Sequence, residues 1–437
     1  MKKRDVIMVW MMLLLFFAGC VGLLIAEKKP QKAPEANYDL NELPVLEINL
    51  EGVTLAEIQE NDKSVKYKGN SAIFYNDSEI SEFNDVVIKG RGNTTWTQPK
   101  KPYQIDLGEK ANLLGLGKSS KWILLANYLD PSYLRNDTAL YLARMIGGSF
   151  TSSGEFIELV INGENLGIYY LIPTIKVGKK SVDLRDDMGV IMELDNLHTD
   201  CGASECYYSD EGNILIVHDA VDKDNIEAAV GDFMKSYNEL ESTAASGDFE
   251  KVKDLIDVES FVQYFLVNEF TNNPDAYSTS WYMYKDGEND KIHAGPVWDF
   301  DLAFGNKVWD EWKVGKDSFP DEEMFRRIEA FGGEYINENG EKRIITEDKN
   351  IAKLVYRLMD ITEFRDVVKQ VFQEKMAGRE TEVIGYLEQR KNKIYSAAMA
   401  DGIIWKHEDF DSAVDELIHF ISQRYEHFDL TYGNAKK

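Results

Sequence analysis

Short alternating runs of apolar and polar residues fill residues 43–218, which is the period-two pattern of β-strands. Turn residues separate these runs, and Asn162-Gly163 between two of them is a strong hairpin signal. The predicted strands are Val45–Leu50, Ser71–Tyr75, Val86–Lys89, Tyr103–Leu107, Trp122–Ala126, Phe156–Ile161, Gly167–Ile172, Val190–Leu194 and Ile214–Val217. One helix is predicted among them, from Pro131 to Met145, with Asp130 as its N-cap.

From Asp222 onward the apolar residues recur every three or four positions, which predicts helices. The predicted helices are Asp224–Ser242, Val258–Thr271, Glu322–Phe331, Asn350–Met359, Thr362–Met376, Glu380–Ala400 and Asp411–Phe428. One extended element interrupts them, over Thr279–Tyr284 and then Lys291–Phe304. Strands followed by helices describe a two-lobed α+β domain, an arrangement that two-lobed kinases share with many other enzymes.

The first 29 residues are a targeting or anchoring segment rather than part of the fold. Lys2, Lys3 and Arg4 precede an apolar stretch from Val6 to Ala26, which is long enough to span a bilayer. The sequence before Cys20 resembles a bacterial lipobox, so a lipoprotein signal and a transmembrane helix both remain open. Either anchor predicts a bacterial membrane protein with an extracytoplasmic body. Residues 30–42 are a tether, and the folded domain is expected at 43–433, with lobes at about 43–220 and 221–433.

The chain is strongly acidic, with a net charge of −27 that argues against binding to nucleic acid, itself a polyanion. Basic partners and cations are favoured instead.

The three cysteines of the chain include Cys201 and Cys206, which lie close together in a polar loop. In an oxidising compartment this pair is expected to form a disulfide, although two free thiols remain an alternative.

The segment from Gly295 to Asn306 places two carboxylates, Asp299 and Asp301, inside an otherwise apolar and aromatic run. On an extended strand both side chains would share one face. Two neighbouring anions on a half-buried strand repel each other and lose hydration, so they need a cation or strong donors. A divalent metal is the natural solution, and an acidic strand face in water is the alternative.

A second group of residues suits an anion. The glycine-rich turn Gly90-Arg91-Gly92-Asn93 offers backbone N–H groups and a guanidinium that can pair with phosphate. Lys100 and Lys101 follow it at the start of a predicted strand. An ordinary hairpin turn and a solvated basic loop are the alternative interpretations.

Six motifs in order resemble the spore coat protein H (CotH) kinase-like family. They are Lys89-Gly-Arg-Gly-Asn-Thr-Thr-Trp96, Lys100-Lys-Pro-Tyr103, Ala126-Asn-Tyr-Leu-Asp-Pro-Ser-Tyr-Leu-Arg-Asn136, Asn162-Gly-Glu-Asn-Leu-Gly-Ile-Tyr169, Asn268-Glu-Phe-Thr-Asn-Asn-Pro-Asp275 and Gly295-Pro-Val-Trp-Asp-Phe-Asp-Leu-Ala-Phe-Gly-Asn306. The resemblance implies an atypical two-lobed protein-kinase-like fold. It also implies that ATP and Mg²⁺ or Mn²⁺ are used to phosphorylate serine or threonine on a protein substrate, which we expect to be basic or rich in Ser and Thr.

The resemblance also implies site residues. Asp275 matches the catalytic aspartate, Asp299 matches the metal-binding aspartate, and Asp301 is a second candidate ligand. Arg91 and Lys101 are the candidate phosphate contacts. This constellation is chemically coherent, because phosphoryl transfer needs cations around the phosphates and a carboxylate that orients the hydroxyl.

One position departs from the family pattern. Pro173 stands where many members carry a glutamate, so a role of that glutamate would fall to Glu193 or Asp195. Two other functions remain open, of which this departure favours the first. The first is a catalytically degenerate surface adhesion or scaffold protein, and the second is a different nucleotidyl- or phosphoryl-transferase on the same scaffold.

Overall fold

Seven strands of the first half close into a barrel. The computed structural model describes residues 43–76, 79–198, 206–306, 333–336, 342–345, 347, 349–406 and 409–433. The barrel strands are β1 (Val45–Asn49), β2 (Tyr67–Asn76), β3 (Glu79–Gly90), β4 (Tyr103–Asn112), β5 (Lys118–Leu125), β6 (Glu155–Ile161) and β7 (Glu164–Pro173). They follow the order β1-β2-β3-β4-β5-β7-β6, and β1 closes the barrel by pairing with β6 in parallel.

The barrel interior is filled by the alternating apolar residues that predicted the strands. In β4, for example, Tyr103, Ile105 and Leu107 are buried while the residues between them are partly exposed. Asn162 and Gly163 both have positive φ angles, which is the backbone of the tight hairpin turn that their sequence predicts. A short helix that the sequence did not predict, α1 (Leu55–Glu60), packs on the barrel and begins at a Thr54–Glu57 capping box.

A second, five-stranded antiparallel sheet follows the barrel. Its strands are β8 (Val190–Leu194), β9 (Cys206–Tyr208), β10 (Ile214–Ala220), β11 (Trp281–Lys285) and β12 (His293–Ala294), in the order β12-β11-β8-β10-β9. The sheet therefore joins strands from both sides of residue 220, where we expected the lobes to divide. Cys206 is disulfide-bonded, and its predicted partner Cys201 lies outside the described residues.

The rest of the chain is mainly helical, which confirms the α+β class. The helices are α2 (Arg135–Ile146), α3 (Ile226–Ser246), α4 (Phe249–Leu255), α5 (Val258–Phe270), α6 (Leu354–Asp360), α7 (Thr362–Lys375), α8 (Glu380–Trp405) and α9 (Phe410–Thr431), with one hairpin of β13 (Gly333–Ile336) and β14 (Lys342–Ile345). Helix α4 was not predicted, and the predicted helix Glu322–Phe331 lies outside the described residues.

None of the described helices is apolar over enough length to cross a bilayer. The predicted anchor at residues 1–29 lies outside the described residues.

Helix α2 begins four residues later than predicted. Asp130 does cap backbone N–H groups, one in the turn before the helix and one at the first helical residue. Its carboxylate accepts hydrogen bonds from the amide nitrogens of Ser132 (3.0 Å) and Arg135 (2.9 Å). The first helical hydrogen bond then runs from the Thr138 N–H to the Leu134 carbonyl. The prediction of Pro131 as the first helical residue was therefore wrong, while Asp130 keeps its capping chemistry.

A buried ion pair joins the barrel to helix α8. The Lys100 ammonium lies 2.7 Å from the Asp401 carboxylate, and both side chains are fully buried. Asp401 also accepts hydrogen bonds from the Tyr133 hydroxyl and the Ile168 N–H, while Lys100 donates a second one to the Ile168 carbonyl. The two charges therefore satisfy each other and the polar groups around them, which is the condition for burying an ion pair.

We expect Asp401→Asn to lower the free energy of unfolding by about 3–5 kcal/mol, because the variant leaves the Lys100 ammonium buried without an anion. Denaturant unfolding of the variant measures this loss, and Glu388→Gln on an exposed part of the same helix is the control. Adding Lys100→Met should restore part of the stability, because no buried charge then remains. Equal stability of Asp401→Asn and the control variant would contradict the role of the pair.

Candidate active site

The segment that carries Asp299 and Asp301 is not the regular strand that the sequence predicts. Only His293–Ala294 are strand residues, and Asp299 has a positive φ of 69°. Side chains of neighbouring segments hold this backbone: Asn136 accepts a hydrogen bond from the Phe300 N–H (2.9 Å), and Asn273 donates one to the Asp299 carbonyl (3.1 Å). The extended element predicted over Lys291–Phe304 was therefore wrong beyond Ala294.

The two carboxyl groups nevertheless lie side by side. The pKa of each carboxyl group depends on the other, because their charges interact. Burial raises the pKa of Asp301 well above its ordinary value, and the charge of Asp299 raises it further. Burial also raises the pKa of Asp299, against the opposing effect of the Arg91 guanidinium. Because the pKa of both groups is raised, a bound cation must compete with protons for this pair.

Asp275 belongs to a tight loop directly after helix α5. Its N–H donates to the Asn273 side chain (3.2 Å), and its carbonyl accepts from the N–H groups of Ser278 and Thr279. Because Asn273 also holds the Asp299 carbonyl, one asparagine ties the two aspartate segments together. Burial and the charge of Asp299 raise the pKa of Asp301 most, and the charge of Asp275 adds to them, so Asp275 lies within electrostatic range of the pair.

Arg91 approaches this site from the glycine-rich turn. Its guanidinium carbon lies 5.5 Å from the centre of the Trp298 ring, within the range of a cation–π contact. Trp298 precedes Asp299 in the chain, and Arg91 is the largest single opposing influence on the raised pKa of Asp299. The predicted phosphate contact and the predicted metal ligand are thus brought together.

A cavity of about 730 Å³ extends from Arg91 and Trp298. Among its described lining residues, eight are lysine or arginine and only Asp219 is acidic. The basic residues are Arg91, Lys110, Lys118, Lys121, Lys176, Lys179, Lys180 and Lys223. In a chain with a net charge of −27, such a concentration of cations indicates an anionic ligand. Burial and the neighbouring charges of Lys110 and Lys121 lower the pKa of Lys176, so a bound anion would relieve a repulsion that is already present.

The cavity lining also contains apolar residues. Ile123, Pro173 and Ile175 line it, and the His218 ring donates from Nε2 to the Ile175 carbonyl at 3.0 Å. The hydroxyl of Thr174 is buried here without a hydrogen-bond partner among the described residues. A pocket lined by both cations and apolar side chains suits a ligand that has an apolar part and a charged part.

Lys101 lies apart from this lining. Its ammonium donates to the Trp96 carbonyl (2.7 Å) and lies 5.4 Å from the centre of the Trp96 ring. Its neighbour Lys100 is committed to Asp401, so both lysines of the motif have partners within the protein. The phosphate contact of Lys101 stays a prediction.

Pro173 occupies the position of a glutamate found in many family members, and Glu193 and Asp195 are the residues that could take over its role. Of these two, Glu193 lies beside the site. It lies 3.6 Å from the His218 ring, and its charge adds to the effect of burial in raising the pKa of Tyr282 and of Asp299. Asp195 instead accepts from the Thr279 hydroxyl at 2.8 Å. Within the described part of the chain, no lysine forms an ion pair with Glu193.

The donor set fits a magnesium ion that shares its shell with phosphate. Among the described residues, no group of three or more His, Cys, Asp or Glu side chains is close enough to hold a metal ion by itself. Mg²⁺ is commonly bound by one or two carboxylates while phosphate oxygens and waters fill its other positions. Asp299 and Asp301 supply the two carboxylates, and the lysine-lined cavity beside them suits the phosphates.

Comparison with known proteins gives one curated relative. Inner spore coat protein H of Bacillus subtilis (strain 168) is 21% identical over 357 residues, which cover 78% of this chain and 85% of that protein.

Two solved structures are similar at a low level. The complex of HipA, HipB and operator DNA from Shewanella oneidensis MR-1 has a chain that is 13% identical, with 86% of this chain and 67% of that chain covered and a TM-score of 0.25. The proinflammatory kinase CtkA of Helicobacter pylori is 10% identical, with 77% and 95% covered and a TM-score of 0.19. At TM-scores this low, neither structure establishes a shared fold.

The family is established by a sequence model. The model described as CotH kinase protein matches residues 88–428, a range that includes Arg91, Asp275, Asp299 and Asp301. The match confirms the resemblance that the six motifs predicted, and the chain belongs to the CotH kinase protein family.

Proposed function

We propose that this chain is a kinase that uses ATP and a divalent metal to phosphorylate serine or threonine residues of a protein substrate. The observation that carries the proposal is the pair of Asp301, which is buried, and Asp299, which is partly exposed, beside Arg91 at the end of a lysine-lined cavity. Two carboxylates for the metal, cations for the phosphates and a separate carboxylate, Asp275, are the parts that phosphoryl transfer requires. The barrel and the helical part would then act as the two lobes of an atypical kinase.

Each residue has a defined part in the proposed reaction. Asp299 and Asp301 would hold the metal, whose charge offsets that of the phosphates when it is bound. Arg91 and the cavity lysines bind and orient the phosphates. The acceptor hydroxyl oxygen forms a bond to the γ-phosphorus as the bond to the β–γ bridging oxygen breaks, and ADP leaves. Asp275 orients the hydroxyl and accepts its proton.

We further propose that the body is held at a bacterial membrane by residues 1–29, as a lipoprotein or through a transmembrane helix, and that it acts outside the cytoplasm. The support is the basic and apolar pattern of that segment together with the disulfide-bonded Cys206, which fits an oxidising compartment. The acidic surface favours a basic substrate protein.

The competing function is a surface adhesion or scaffold protein that keeps the fold without catalysis. Pro173 favours it, as does the absence of a lysine partner for Glu193 in the described part of the chain. A degenerate protein has no use for a buried Asp301 that a neighbouring aspartate repels, so the retained pair favours the kinase.

Calorimetric titration of the full chain with ATP, with and without Mg²⁺ or Mn²⁺, tests the proposed site. We expect binding that depends on the metal and strengthens as the pH rises, because the Asp301 carboxyl has a raised pKa and must lose its proton to the cation. Titrations in two buffers with different ionisation enthalpies would detect that proton. Equal ATP affinity with the metal and with a chelator would contradict the assignment.

A further inference from the structure

The glycine-rich turn is held by a lysine from outside it. The Lys63 ammonium donates to the Gly92 carbonyl at 2.7 Å and also to the Asn93 side chain. Gly92 has a positive φ of 79°, and an added Cβ there would lie 2.0 Å from the Thr95 hydroxyl. The turn therefore has one tightly defined conformation, and Lys63 binds its most exposed corner.

Lys63 is itself fixed by local structure. It follows helix α1, whose Gln59 side chain donates to the Tyr103 hydroxyl of the barrel at 3.0 Å. The residues on either side of Lys63 form a tight turn, in which the Asp62 carboxylate accepts from the N–H (2.8 Å) and the hydroxyl (2.6 Å) of Ser64. The ammonium is thereby presented to the glycine-rich turn by a short, anchored segment.

The same turn carries Arg91 to the site. The Arg91 N–H donates to the Pro102 carbonyl at 3.3 Å, and its guanidinium lies against Trp298. The path from Lys63 through Gly92 and Arg91 to Asp299 is therefore continuous. Two of the three N–H donors of the Lys63 ammonium are used on the turn itself, which favours an indirect role for Lys63 over direct phosphate contact.

We propose that Lys63 is a positioning residue of the phosphate site, which holds the glycine-rich turn so that Arg91 faces phosphates bound beside Asp299. The inference rests on the proposed function of that site. Lys63 precedes residues 88–428, so membership of the family assigns it no role. Helix α1, which also precedes the matched residues, becomes part of the functional unit.

Hydrogen exchange of the full chain without nucleotide tests the contact alone. We expect Lys63→Met to speed exchange of the Arg91 and Trp96 amides about tenfold, the scale of one lost hydrogen bond from a charged group. Lys63→Arg should exchange more slowly than Lys63→Met, and Lys68→Met, at an exposed lysine of β2, should match the parent. Unchanged exchange in Lys63→Met would overturn the inference.

A double-mutant cycle with Mg²⁺ and ATP tests the link to the site. We expect Lys63→Met to weaken affinity about tenfold in the parent and less than about twofold in Arg91→Gln, because both changes remove the same interaction. Losses that multiply would show that Lys63 contacts phosphate directly and would overturn the positioning role. If the parent binds ATP and Lys63→Met binds it equally tightly, the positioning role is also overturned. If the parent itself binds no nucleotide, the proposed function is contradicted instead.

Discussion

Asp299→Asn should weaken metal-dependent ATP binding by about 100-fold or more, because even partners in the outer shell of a metal site contribute 10–100-fold to metal affinity. The change removes one of two carboxylates and leaves too little negative charge to hold a divalent ion. It also removes the charge that repels the buried Asp301 carboxyl group, so thermal stability should not fall.

Titration of the variant with ATP and Mg²⁺ measures this effect. Asp187→Asn is the matched control, since it makes the same chemical change at an exposed position. If Asp299→Asn binds ATP as tightly as the parent, and does so only with metal, then Asp299 is not a metal ligand. A folded variant whose ATP affinity with Mg²⁺ falls to the level measured with a chelator is the result expected of a metal ligand.

Asp275→Asn should separate binding from catalysis. A residue that orients the acceptor hydroxyl and takes its proton acts on the transition state, so nucleotide affinity should be retained while transfer slows by about 10²–10⁴-fold. The Asn273 side chain, which holds the Asp275 backbone, does not depend on the carboxylate and should keep the loop in place. Single-turnover transfer and equilibrium ATP binding, measured on the same preparation, give both quantities.

Two results would count against this role of Asp275. Transfer at the parental rate would show that another group accepts the proton. Loss of ATP binding together with loss of transfer would instead make Asp275 a third metal ligand, which the positions of the described carboxylates do not favour.

Local patterns predicted much of the fold. Strand β8 has the predicted bounds, Val190–Leu194, and the Asn162-Gly163 turn has the predicted backbone, because both depend on a few neighbouring residues. The prediction of a strand around Asp299 was wrong for the opposite reason. Its conformation is set by side chains from distant parts of the chain, Asn136 and Asn273, and no local pattern contains them.

The functional site was likewise predicted only in part. The resemblance to the family predicted Asp275, Asp299, Asp301 and Arg91, and the structure brings them together. The cavity was missed because its lining comes from stretches that only the fold assembles, although the lysines around 118–121 and 176–180 were an available signal in so acidic a chain. The role of Lys63 could not be predicted from the sequence, because a lone lysine in a polar turn is ordinarily a solvated residue.

The most direct test of the central claim is the intact mass of the full chain and of candidate substrate proteins after incubation with ATP and Mg²⁺. The account predicts that Ser or Thr residues gain phosphoryl groups, that ADP forms in equal amount, and that Asp275→Asn prevents both. Gain of a nucleotidyl group with release of pyrophosphate would contradict a kinase and favour nucleotidyl transfer. If a folded parent forms neither product and also fails to bind ATP with metal, the scaffold function is favoured.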